Sequence, residues 1–122
     1  MAKIEIKQVE PEDEEVLEEW VRITEEEDLL GVSATRTADD KWPWRVWPHA
    51  AEFVREEPLQ SQLFASITTA LENVPGVKQA AQDDRECWVV QGHPSGENLV
   101  RAIAIALDSL AEPLRKFYSS HG

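Results

Sequence analysis

The chain has 122 residues, enough for one core but too few for two domains or for a cofactor domain joined to a substrate domain. Apolar residues make up 42% and charged residues 30%, globular values that argue against wholesale disorder. Twelve Lys and Arg face 24 Asp and Glu, a net charge of −12 that disfavours nucleic acid and anionic membrane as ligands.

A basic protein or a cation is compatible with that charge, which also serves solubility alone. The lone Cys87 cannot form an internal disulfide. The segment Met1-Ala2-Lys3-Ile4-Glu5 has no apolar signal region, and no stretch approaches the ~18 apolar residues of a membrane span. A reducing cytoplasm is the expected location.

Residues 3–9 read K-I-E-I-K-Q-V, where Ile4 and Ile6 alternate with charges, and predict a short half-buried strand. Pro11 then opens an acidic run, Glu12-Asp13-Glu14-Glu15, suited to the positive end of a helix. Val16, Leu17, Trp20, Val21 and Thr24 fall on one face at helical spacing, so a helix is expected over 12–26. The rival reading makes residues 20–24 a strand. The first thirty residues hold twelve acids against three bases, so residues 1–30 form an acidic β-α part with Glu14, Glu18 and Glu25 on its outward face.

Residues 32–37 alternate small or apolar with polar and predict a strand, followed by an Asp39-Asp40 turn. A tryptophan–proline segment over 41–49 comes next: Lys41-Trp42-Pro43-Trp44-Arg45-Val46-Trp47-Pro48-His49. Its two prolines exclude a helix and a central strand, leaving an edge strand or an extended loop.

Leu59, Leu63, Phe64, Ile67, Ala70, Leu71 and Val74 mark a helix over 59–74, with Pro58 before it and Pro75-Gly76 after it. Strands over 77–81 and 86–91 flank a turn at 82–85. Cys87 and Val89 should point one way, Trp88 and Val90 the other. Ser95 caps a long helix whose stripe is Leu99, Ile103, Leu107, Leu110, Leu114 and Phe117, kinked or restarted at Pro113.

The fold class expected is α+β, a two-layer sandwich of five strands and three helices, the helices on one face of a mostly antiparallel sheet. Leu63, Ile67, Leu71, Val77, Val89, Leu99, Ile103 and Leu107 should share its core. Residues 59–110, with V-P-G-V at 74–77 and G-x-x-x-G-E-x-L at 92–99, are similar in layout to heavy-metal-associated domains. The resemblance implies a ferredoxin-like α-β-β-α part over 58–118. Those domains bind metal through C-x-x-C before the first helix, and that segment here has no cysteine, so the resemblance does not extend to metal binding.

Two features carry functional expectations. Trp42, Trp44 and Trp47 read either as a lid over the sheet or as exposed anchors for a partner, because tryptophan buries much area at little entropic cost. The acidic run reads either as a solvated face or as an electrostatic guide for a basic partner. Together they suggest a non-catalytic protein–protein interaction module, of the immunity or inhibitor type. In it, carboxylates speed encounter and a tryptophan holds the complex.

The alternatives are a small ligand-binding domain or enzyme with a pocket near His49, His93 and Ser95, and a structural subunit of a homo-oligomer. The loop Gly92-His93-Pro94-Ser95-Gly96 is not the hydrolase elbow G-x-S-x-G, and its free N–H groups could hold a small anion. The three histidines have no metal-ligand spacing, so no metal or cofactor is expected.

Overall fold

The computed structural model describes residues 4–121. Its strands are β1 (Glu5–Val9), β2 (Val16–Ile23), β3 (Val32–Thr37), β4 (Trp44–Pro48), β5 (Val77–Gln82) and β6 (Trp88–Gly92). Its helices are α1 (Glu27–Leu30), α2 (Leu59–Glu72), α3 (Gly96–Ser109) and α4 (Ala111–His121), and a 3-10 turn over His49–Glu52 follows β4. The strands form one sheet in the order β1-β2-β3-β4-β6-β5, with every pairing antiparallel. The class is α+β.

The helix expected over 12–26 does not form; residues 16–23 are strand β2, hairpinned to β1 with Glu5 opposite Ile23 and Val9 opposite Glu19. A helix here would stack Glu14 on Glu18 and Glu15 on Glu19, like charges at i,i+4. Val16, Val21 and Ile23 are β-branched and Trp20 aromatic, and they prefer a pleated surface. The acids gather instead in the connecting turn, where Asp13 Oδ1 accepts from Glu15 N at 2.9 Å and Asp13 O from Val16 N at 3.1 Å.

The tryptophan segment also departs from expectation: β4 is an interior strand between β3 and β6. The prolines permit this because of where they fall. Pro43 precedes the strand, and Pro48 is its last residue, opposite Val32, beyond the β6 ladder that covers Trp44–Val46. Neither stands where β6 needs an N–H.

Residues of α2 (Leu63, Ile67, Leu71), α3 (Leu99, Val100, Ile103, Leu107) and α4 (Leu114) bury against one sheet face. That face carries Val32, Ala34, Trp44, Val46, Trp88 and Val90. Trp88 Nε1 donates to Thr68 Oγ1 at 3.0 Å, and its ring meets Phe64 edge-on. Val89 alternates to the opposite face, so it does not join this core although it is only 6% exposed; Val77 is half-buried. The break between α3 and α4 falls at Leu110, and Pro113 sits in the first turn of α4, where no intrahelical N–H bond is lost.

Candidate functional site

Strand direction divides the loops between two ends of the sheet. The β1–β2 turn and the β3–β4 loop share one end, since Val16 pairs with Thr37 and Thr37 N donates to Pro43 O at 2.7 Å. The segments that follow β2 and β4 share the other end, where His49 N donates to Gly31 O at 3.0 Å.

The second end holds a half-open pocket of about 520 Å3 lined by Asp28, His49, Glu52, Phe53, Arg55, Glu56, Phe117 and Tyr118. Three separate parts of the chain build it: α1 supplies Asp28, the 3-10 turn and its exit supply residues 49–56, and α4 supplies Phe117 and Tyr118. The rings pack together. Phe53 stacks on Phe117 at 6.4 Å between centroids and meets Tyr118 edge-on at 5.4 Å. Tyr118 stays 39% exposed, and its hydroxyl donates to Asp28 Oδ2 at 3.2 Å.

The pocket wall is pinned from behind. Arg85, on the β5–β6 hairpin, donates from Nη1 to Ala51 O and Glu52 O at 3.1 and 3.3 Å and from Nη2 to Val54 O at 2.6 Å. His49 Nδ1 lies 3.1 Å from Glu27 O; a carbonyl only accepts, so Nδ1 carries the hydrogen. Beside the pocket, Arg115 clasps Glu26 with two bonds of 2.6 and 2.9 Å, which hold the Glu26 carboxyl below its usual range and raise the Arg115 guanidinium.

A second hollow of about 570 Å3 at the first end is lined by Glu18, Arg36, Asp39, Asp40, Pro43, Trp44 and residues 92–96. Several of its charges are already engaged. Glu18 accepts from Arg36 Nε at 3.0 Å and from Trp20 Nε1 at 2.6 Å. Asp39 Oδ1 accepts from the backbone N of Trp42 and Lys41 at 2.7 and 3.0 Å, which lowers its pKa.

The residues singled out from the sequence are therefore dispersed. Glu14 lies in the β1–β2 turn, and Glu18 points toward the helix side of β2. Glu25 lies at the other end of β2, lining hollows there with Glu26. Trp44 is a core residue, 3% exposed, while Trp42 and Trp47 are half-buried. Trp47 lies opposite Ser33 on the sheet face away from the helices. No single face unites them with Glu14, Glu18 and Glu25.

His49 and His93 likewise line different pockets, and Ser95 serves as the cap of α3, its Oγ accepting from Asn98 N at 3.3 Å. Phe53, Tyr118, Asp28 and Glu52 escaped sequence reasoning because their meeting depends on tertiary packing between residues as far apart as 28 and 118. The sequence marks only two residues of this pocket, His49 as a pocket candidate and Phe117 in the apolar stripe of its helix.

Among the described residues, no three His, Cys, Asp or Glu side chains converge to hold a metal ion, and no helix is long and apolar enough to cross a membrane. The chain matches no family model, no curated protein and no solved structure.

Proposed function

We propose that this chain is a non-catalytic protein-binding module for a basic partner in a reducing cytoplasm. The observation that carries the reading is an aromatic-floored pocket at one end of the sheet whose rim holds Asp28, Glu52 and Glu56 against one Arg55, with Glu25 and Glu27 in the adjoining hollow that shares Asp28 and Tyr118. Carboxylates there steer a basic surface, and the rings offer it apolar contact that survives desolvation. Glu26 adds little, because Arg115 already neutralises it. The half built from α2, β5, β6 and α3 is proposed to be ferredoxin-like: β4 and β5 run parallel with β6 between them.

Titration with a ten-residue lysine peptide, followed by calorimetry, tests the reading. Binding should weaken as salt rises. It should also fall when Glu25 and Glu27 are reversed to lysine, and far less when Glu12 and Glu14 are reversed at the opposite end. Equal losses from both pairs would reduce the effect to bulk charge, and absence of binding would refute the proposal.

A further inference from the structure

The pocket floored by Phe53, Phe117 and Tyr118 has a chemistry narrower than acidity. We infer that it is a cage for a single cationic side chain, a lysine ammonium presented by the partner; this rests on the basic-partner reading above.

The lining carries three carboxylates, Asp28, Glu52 and Glu56, against one guanidinium, Arg55. An anion would therefore meet net repulsion, and a neutral apolar group would displace water from the rim without offering it a charge. A cation satisfies both the rim and the floor. Ring faces attract cations through their quadrupole, with the greatest gain where water is displaced.

The geometry leaves a surface for it. Phe53 and Phe117 lie nearly parallel, 21° apart, and Tyr118 stands at 67° to Phe53, so the rings make a corner rather than a flat stack. Tyr118 donates to Asp28 at 3.2 Å, which couples an aromatic wall to a carboxylate of the rim. At about 520 Å3 the space falls within the ~300–1,000 Å3 of ordinary ligand pockets, room for a lysine stem and the adjoining backbone.

The wall is held in place before any ligand arrives. Arg85 fixes three carbonyls of the 49–54 segment, and the His49 ring is tied to α1. A preformed pocket binds without first ordering its own residues.

The test uses the intact chain and three short probes: acetyl-Gly-Gly-Lys-Gly-Gly-amide, the same peptide with norleucine in place of lysine, and free butylamine. Ring resonances of Phe53, Phe117 and Tyr118 are followed by NMR. The lysine peptide should shift all three saturably. Norleucine should bind about tenfold more weakly or not at all. Butylamine should bind more weakly than the lysine peptide.

Among variants, Tyr118→Ala and Asp28→Asn should weaken the lysine peptide. Arg55→Gln should tighten it, a gain that a merely structural role would not produce. Norleucine binding as well as lysine would turn the cage into an apolar slot and overturn the inference. Butylamine matching the peptide would overturn the assignment to a partner's side chain. If the ten-residue lysine peptide binds while the ring signals stay still, the cage fails and the basic-partner reading stands. If the single lysine enters the pocket while the longer peptide shows no salt-dependent binding, the pocket is a cation site but its assignment to a basic partner is overturned.

Discussion

Arg22 ties its strand to the helices packed on the sheet. It faces the helices from β2 with only 5% of its side chain exposed, donating to Asp108 Oδ1 and Oδ2 at 2.8 and 3.0 Å and to Leu30 O at 3.2 Å. The pair joins β2, α1 and α3. Removing the acid strands a buried guanidinium, so Asp108→Ala should cost about 3 kcal/mol in urea unfolding, near the low end for broken buried pairs because Asp108 is one-third exposed. A loss below ~0.5 kcal/mol would show that water replaces the carboxylate freely.

Cys87 gives a second expectation at this scale. Burial pushes its thiol pKa up, outweighing the Arg45 guanidinium at 3.7 Å that favours the thiolate. A thiol reagent at neutral pH should leave it untouched in the folded chain and label it on unfolding; rapid labelling of folded protein would contradict this.

At the level of elements, legibility followed polarity. Helices α2 and α3 and strand β6 were readable because their inward positions are apolar at the period of their own geometry, and β5, with only Ala80 buried, was readable from the Pro75-Gly76 and 82–85 turns that bound it. Strand β2 was not: its inward positions, Glu18, Trp20 and Arg22, are polar or amphipathic, Glu18 accepting from Arg36 and from Trp20 two residues on, and Arg22 pairing with Asp108. Without those partners, the apolar residues that remained traced a helical stripe. The interior position of β4, expected as an edge strand or loop, was hidden by its prolines, whose harmlessness depends on where the neighbouring ladder stops. The aromatic pocket was invisible because three elements meet to make it.

Gly96 opens α3 for a reason of contact: a Cβ there would strike the rings of Trp20 and Trp44 beneath the first turn of the helix. Gly96→Ala should therefore destabilise by about 1–3 kcal/mol, even though alanine is the better helix former. Calorimetric melting checks this, and an unchanged or raised Tm would mean that the tryptophans give way.

For the molecule as a whole, charge governs the response to pH and salt. Glu26 and Asp39 are held below the ordinary carboxylate range by hydrogen bonds, so the folded state keeps them ionised at pH values where the unfolded chain takes up protons. Their contribution is complete above the unfolded values of about 4 and is lost as pH falls through the lower folded ones. At neutral pH the net charge of −12 opposes compaction. Added sodium chloride should thus raise Tm at pH 7 by screening that repulsion, and this gain should shrink near pH 4.5, where neutralisation has done the same work. A Tm that falls with salt at pH 7 would mean that the ion pairs outweigh the repulsion.

The strand order leaves β1 and β5 with unpaired backbone along their outer rims. Such rims template further strands, and a sheet with one helix-free face would otherwise invite stacking and growth into fibrils. The chain guards both rims. Glu5 and Lys7 charge the five-residue β1, while β5 carries Lys78 beside a break in register between Val77 and Gln79 that disrupts its ladder. A second chain adding there would have to bury a charge on one rim or match a distorted ladder on the other, so the same sheet that carries the pocket is kept from polymerising.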